Sequence, residues 1–446
     1  MPEPLPHQIK GAQFLAENRY ALLADAPRVG KTGAAILAAD DVLAMRILVI
    51  TTASGRPVWV RAFKEWSFVP RTVEALYPGK MSKAFKGAGV QIVGWAALDK
   101  LADLGPWDLI IVDESHYAKS VEAKRTQHLY GRMRGTHRAE GLIDRADRVW
   151  CLTGTPIPNA PNDLYPMIRA LRQGSLAGDF TLTLPSVMAY DAFLRRYCIV
   201  RPKRTSRYRT IDVVVGGKNL EELYSRLHGF MLRRTQQDVG IRAPIFDVLP
   251  VHTTARQRRE IEAELPEAEE ILGAAETGET KSIEMHLGTL RRLTGHIKAA
   301  GVVEAVRDEM GGGMDKVVLM AWHRDTMRAL ADGLSGFGVV QVSGETTPAA
   351  RDKAVQEFQH GDARVFVGQI VACGEAIDLS ASAELIFAES SFVPKDMAQA
   401  ALRITNHGQT RQPRVRVAAL EGSIDEALQM SLIRKVQSIK GVLECQ

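Results

Sequence analysis

The chain has 446 residues, 46% hydrophobic and 24% charged, which are globular values at a length beyond what one core usually supports, so two or more domains are expected. No apolar run reaches the ~18 residues of a membrane helix, the start Met1-Pro-Glu-Pro-Leu-Pro6 carries no basic segment with an apolar stretch behind it, and the scattered Cys151, Cys198, Cys373 and Cys445 form neither a zinc pattern nor a disulfide framework. The expectation is a soluble cytoplasmic protein with reduced thiols and no membrane partner; a net charge of +5 is too small to identify a polyanion, so local charge must carry that question.

In chain order, the first informative stretch is Tyr20-Ala-Leu-Leu-Ala-Asp25-Ala-Pro-Arg28-Val-Gly30-Lys31-Thr32. A short apolar strand runs into a loop ending Gly-Lys-Thr, which opens an Ala-rich helix of high intrinsic propensity. Backbone N–H groups at such a helix start face phosphates, Lys31 reaches the β/γ oxygens, and the Thr32 hydroxyl binds Mg²⁺. The full phosphate-loop pattern fails, because position 25 is Asp rather than Gly. The second stretch is Leu109-Ile-Ile-Val-Asp113-Glu114-Ser115-His116, a continuous apolar run ending on two carboxylates. A buried parallel strand reads in this way, and polar residues at its carboxyl end lie where open α/β sheets bind ligands. Asp113 is expected to hold Mg²⁺, and Glu114 to orient or deprotonate the attacking water. Neither stretch is decisive alone; together, in this order, they read as a nucleoside triphosphate site.

Further strand candidates in the first part of the chain are 47–51, 91–93 and 149–153, alternating with helical patterns. Residues 160–310 turn largely helical and charge-rich, with a Gly/Pro-punctuated linker near Val239-Gly-Ile-Arg-Ala-Pro244. Within them, Arg195 to Arg209 holds seven basic residues, two tyrosines and no acidic residue. That mixture suits contact with a phosphate backbone, with Arg201, Lys203 and Arg204 as candidates; a solvated basic loop is the other reading. The acidic run at 259–270 reads as a solvated helix face. After Gly311-Gly-Gly313, expected to be a flexible joint, a second series of strand candidates follows at 317–321, 339–342, 365–367, 385–388 and 415–419. Thr347-Pro348 opens a capped helix that stops at Gly361. Two such alternating series argue for two parallel sheets covered by helices.

These residues together resemble the helicase-like motor ATPases of helicase superfamily two, specifically the SWI/SNF-type (Snf-two) branch. Leu5-Pro-His-Gln8 is similar to the glutamine motif that reads adenine, Asp113-Glu-Ser-His116 and Leu152-Thr-Gly-Thr-Pro156 match the second and third motifs, and Met231-Leu-Arg-Arg-Thr235 resembles the segment closing the first lobe. Phe387-Ala-Glu-Ser-Ser-Phe-Val-Pro394 and Gln399-Ala-Ala-Leu-Arg403-Ile-Thr-Asn406-His-Gly-Gln409 are similar to the fifth-to-sixth motif region. The set looks most like the annealing-helicase (HARP-like) subgroup and its compact phage or bacterial relatives, in the cytoplasm of a bacterial or phage-infected cell. The resemblance implies an α/β protein of two RecA-like lobes with helical protrusions between them. The first is expected over residues 1–240, with a helical basic protrusion, and the second over 241–446, with a helical insertion at about 252–310. It implies ATP and Mg²⁺ as cofactors, Gln8 and Gln409 at the nucleotide, Arg403 as the finger on the γ-phosphate, and His116, Thr153 and Thr155 as couplers of phosphate state to motion. It implies duplex or branched DNA as track; a monomer is expected, directed to its DNA by a protein partner or by DNA structure. Two positions depart from the pattern: Arg28 stands where many relatives have glycine, and Asn406 stands at the second arginine of the sixth motif. A DNA-stimulated translocase leads; a strand-separating helicase on DNA or RNA, an ATP-gated DNA clamp with weak turnover, and a metabolic kinase are the other readings.

Overall fold

Uninterrupted apolar runs become strands buried on both faces. The computed structural model describes residues 2–77, 89–101, 104–135, 137–154, 156, 160–173, 189–206, 209–252, 254–257, 259, 284–373, 377–391 and 393–444. The chain divides into two units, Met1–Thr235 and Gln236–Gln446. In the first, the strands are β1 (Tyr20–Leu23), β2 (Arg46–Thr51), β3 (Val73–Ala75), β4 (Gly89–Gly94), β5 (Trp107–Asp113), the two-residue pair β6 (Met133–Arg134) and β7 (His137–Arg138), β8 (Ala146–Leu152), β9 (Cys198–Ser206), β10 (Arg209–Gly217) and β11 (Met231–Leu232). Seven of them form one parallel sheet in the order β11-β1-β8-β5-β2-β4-β3. Successive side chains point to opposite faces, so Ile110 and Val112 enter one core with Leu48, Ile50 and Cys151, while Leu109 and Ile111 enter the other with Ile47, Val49 and Trp150. Each such side chain contributes roughly 1.5–3 kcal/mol by leaving water.

Register places the candidate site. Leu152 of β8 lies opposite both Leu23 of β1 and Asp113 of β5, and Val112 lies opposite Ile50 of β2. The carboxyl ends of four strands are therefore flush, and Asp25, Thr51, Asp113 and Thr153 emerge on one edge. The helix Lys31–Asp41 covers one face through Ala34, Ala35, Ala38 and Ala39, whose small side chains permit close approach. Its last turn is anchored by the buried Asp40 carboxylate, which pairs with Arg71 and accepts from Ser67 Oγ (2.9 Å) and Phe68 N (2.8 Å).

The second unit contains β12 (Ile245–Val251), β13 (Val317–Ala321), β14 (Val339–Val342), β15 (Val365–Gln369), β16 (Glu384–Phe387) and β17 (Arg414–Leu420). They form a parallel sheet in the order β12-β17-β16-β13-β15-β14. Val317 and Leu319 face one core, Val318 and Met320 the other. The helix Pro348–His360 begins as its sequence dictates, with proline first and the Thr347 hydroxyl accepting from Ala350 N at 3.3 Å.

Three expectations are corrected. Arg195–Arg209 is not a helical protrusion: its first residues close the helix Tyr190–Tyr197, Cys198–Ser206 form β9, and Arg209 opens β10 of the same antiparallel ribbon. The reason lies downstream, since Thr210-Ile-Asp-Val-Val-Val215 is β-branched at all but one position and pairs back across Arg201 and Lys203. The stretch after Pro244, expected to be linker and helix, is strand β12; Pro250 fits because β12 is an edge strand. Gly311-Gly-Gly313 closes the helix Glu284–Gly311 with a bond from Met314 N to Glu309 O (2.9 Å) and Gly313 at φ 104°, a helix stop rather than a joint. Most of the stretch at 259–283 and Cys445 lie outside the described residues.

Candidate nucleotide site

The turn from β1 into the helix at Lys31 needs two left-handed residues, Arg28 at φ 72° and Gly30 at φ 95°. Glycine takes that conformation freely, whereas an L side chain is disfavoured there by roughly 1–2 kcal/mol. Arg28 therefore keeps the backbone a glycine would have while adding a side chain. At Gly30 a larger residue would also have to displace the Gln8 side chain, since a Cβ would lie 2.4 Å from Gln8 Nε2. Gln8 is buried in the helix Pro6–Glu17, its Oε1 accepting from Leu5 N (2.9 Å) and its Nε2 approaching Gly30 O at 3.4 Å, while His7 Nε2 pairs with Val29 O at 2.8 Å. The Lys31 ammonium donates to Asp25 O (2.7 Å) and Ala26 O (3.2 Å), so the loop curls around the charge that would meet phosphate. Asp25, the residue that breaks the phosphate-loop pattern, is buried and takes the Arg234 guanidinium fork, Nε at 3.0 Å on one oxygen and Nη2 on the other.

The two carboxylates at the end of β5 are held differently. Asp113 Oδ2 accepts from Thr51 Oγ1 (2.7 Å) and Trp59 Nε1 (2.9 Å), and its Oδ1 from Glu114 N (3.0 Å). Burial, then the neighbouring Glu114 charge, push its carboxyl up to about 6, against the opposing pull of those two hydrogen bonds and Lys31. Such a carboxylate, with Thr32 at the start of the facing helix, suits a divalent cation, whose charge would favour the ionised form. Glu114 sits in the left-handed region (φ 50°, ψ 47°), a backbone that an L residue adopts only when its surroundings impose it. His116 Nδ1 lies 3.2 Å from Glu114 Oε2 and 3.0 Å from Thr153 Oγ1, a physical link between the two motifs. Thr155 lies outside the described residues.

In the second unit, Arg403 belongs to the short turn Leu402–Ile404, and its carbonyl accepts from Leu379 N at 3.0 Å. Thr405 is extended (φ −105°, ψ 136°), so Asn406 does not share a helix face with Arg403 although the two are three residues apart. Asn406 Nδ2 donates to Ser380 Oγ, and Gln409 Nε2 to Ser380 O (3.0 Å) and Ser382 O (2.9 Å). At the carboxyl edge of β13 and β16, the end of the sheet opposite Ser380 and Ser382, buried Glu389 accepts from Trp322 N and His323 N (both 2.8 Å) and pairs with His323 Nδ1. On the ribbon, Arg201 is exposed; the side chains of Lys203 and Arg204 lie outside the described residues. Sequence reading missed Thr51, Trp59 and Ser380 as partners, and the contacts of Arg234 and Glu389, whose motifs it had singled out. A signal existed for Thr51, which ends a strand neighbouring β5; none existed for Trp59 or for the pairing of Arg234 with Asp25.

Comparison with known proteins agrees with this architecture. The Pyrococcus furiosus Hef helicase domain superposes with a TM-score of 0.52 at 15% identity, over 96% of this chain and 98% of that one, a likeness of fold: both sheets are the cores of RecA-like lobes. The mouse DNA annealing helicase and endonuclease ZRANB3 is 24% identical over 97% of this chain and 40% of its own length. The Xenopus tropicalis SWI/SNF-related matrix-associated actin-dependent regulator of chromatin subfamily A-like protein 1 is 27% identical over 97% of this chain and 44% of its own. The chain thus spans less than half the length of these relatives, and both are animal proteins, which lend no support to a phage or bacterial source. Among the described residues no helix is long and apolar enough to cross a membrane. Residues 7–292 match the SNF2-related domain, and the chain belongs to that family.

Proposed function

We propose that this chain is a DNA-dependent ATPase that moves along, or remodels, duplex or branched DNA. The observation that supports the reading is the flush carboxyl edge of β1, β5 and β8, from which Asp113 and Glu114 and the loop leading to Lys31 and Thr32 emerge, in a member of the SNF2-related family. Lys31 binds the β/γ phosphates, Thr32 and Asp113 hold Mg²⁺, and Glu114 steadies the attacking water. When bound, the cation neutralises charge that develops on the phosphates. Gln8 holds the adenine end. We assign Arg403 the finger's role and Gln409 a place at the nucleotide, as the family resemblance implies. His116 and Thr153, bonded to each other, relay the state of Glu114, with Thr155 in the same motif. Arg201, Lys203 and Arg204 bind the phosphates of the track. The protein acts as a monomer and is directed to its DNA by a partner protein or by DNA structure.

Asn406 favours a second reading, an ATP-gated clamp with weak turnover, since a neutral amide bonded to Ser380 cannot neutralise γ-phosphate charge. Phosphate release measured without nucleic acid and with duplex, forked and single-stranded DNA and RNA decides between them. Stimulation by duplex or forked DNA supports the motor. Tight ATP-dependent DNA binding with almost no release selects the clamp, and best stimulation by RNA overturns both. Displacement of a strand from a fork or blunt duplex would make it a strand-separating helicase.

A further inference from the structure

The chain leaves its first unit alongside the phosphate loop. Leu22 N donates to Phe230 O (2.8 Å), Ala24 N to Leu232 O (2.7 Å) and Ala26 N to Arg234 O (2.8 Å), so the ladder between β1 and β11 continues past both strands into the loop itself. At its last rung the Arg234 side chain turns back onto the same loop. Its fork engages both oxygens of Asp25, and its Nη1 reaches His7 O in the helix that carries Gln8. The carbonyl of the same Asp25 holds Lys31. One residue after Arg234 the first unit ends, at Thr235.

We propose that Arg234 is a positioning residue that couples the phosphate loop to the exit segment 230–235, so that the nucleotide state at Lys31 sets the order of the segment leading to the second unit. A ligand that draws the ammonium from the Asp25 carbonyl acts on a residue whose carboxylate is clamped by Arg234, and the clamp carries the change into the exit strand. The inference rests on nucleotide binding by this loop. A planar, bidentate fork is suited to this coupling, because lysine at 234 would keep the charge but could not engage two carboxylate oxygens and a carbonyl together.

The test is hydrogen exchange of peptides covering 22–28 and 230–236 in the full chain, with and without a saturating non-hydrolysable ATP analogue and Mg²⁺, beside the analogue's Kd. In the wild type, nucleotide should slow exchange in both peptides. In Arg234→Ala, affinity should fall roughly tenfold, and at saturation only peptide 22–28 should be protected; Arg234→Lys should restore less than half of the lost affinity. Because Arg234→Ala strands a buried carboxylate, the neutral pair Asp25→Asn with Arg234→Gln is the second variant, expected to fold and to show the same split. Wild-type protection of both peptides in either variant overturns the coupling. A wild type that does not bind the analogue overturns instead the nucleotide reading on which the coupling rests.

Discussion

The loops that end β1 and β5 and the segment 402–411 carry residues for which the family resemblance implies a role at the nucleotide, yet they are built in opposite ways. In the first unit, strand register delivers Asp113 and Thr51 to one edge, and side chains from separate elements converge on the loop and carboxylates. In the second, Asn406 and Gln409 direct their amides to Ser380 and Ser382 of the same unit. The lesson is that a motif letter at the end of a buried strand has its position fixed by the sheet, whereas the same letter in an irregular segment can be engaged in holding that segment together.

The sharpest way to break the contrast is at the first site. Glu114→Gln should lower phosphate release by at least ~10³-fold while an ATP analogue still binds, and Lys31→Ala should abolish that binding, because one change weakens control of water and the other removes the phosphate-paired charge. Equal analogue affinity in wild type and Lys31→Ala would remove the assignment. In the second unit, Arg403→Ala should slow turnover roughly 10³-fold if it is the finger, with an unchanged unfolding midpoint.

A thermodynamic prediction concerns Asp113. Its folded carboxyl titrates at about 6 against 3.8 ordinarily, so its contribution to stability is complete below the ordinary value and is lost as pH rises through about 6. The ligand-free protein should lose up to about 3 kcal/mol by this route. Asp113→Asn should remove that part of the pH dependence, giving a flatter profile of urea-unfolding free energy between about pH 4 and pH 7.5; a profile parallel to wild type would show that the carboxyl titrates normally.

Smaller effects sharpen the other side. Gln409→Ala removes the donor to the carbonyls of Ser380, Ser382 and Ile404 and should cost about 1–2 kcal/mol of stability; if it instead leaves the unfolding midpoint alone and weakens nucleotide binding, Gln409 serves the ligand. The least effect is expected on the ribbon. Replacing Arg201, Lys203 and Arg204 by Gln should reduce the slope of log K for DNA against log salt by about 0.9 for each phosphate no longer neutralised, and an unchanged slope would make this a solvated surface.

What the sequence disclosed follows from the same contrast. Val317–Ala321 and Leu109–Val112 were readable because strands buried on both faces leave no alternation to interpret and no polar interruption. β3 and β11, at three and two residues, are too short to carry a period, and β12 was hidden by Pro250 and a half-exposed pattern. The ribbon was misread because its basic side chains drew attention from the β-branched strand that pairs with it. At the site, Lys31, Thr32, Asp113 and Glu114 were legible from order and spacing. The pairing of Arg234 with Asp25 was not, because an ion pair spanning 209 positions leaves no local trace.

The short strand β11 has a practical consequence for dissecting the protein. It occupies the outer flank of β1 at the edge of the seven-stranded sheet. A first-lobe fragment ending at residue 229 would expose the backbone donors of Leu22 and Ala24, on an apolar strand, to any passing chain, and exposed edges of that kind template intermolecular pairing. Such a fragment should aggregate where one extended through Thr235 stays dispersed, so the short edge strand guards the solubility of the lobe.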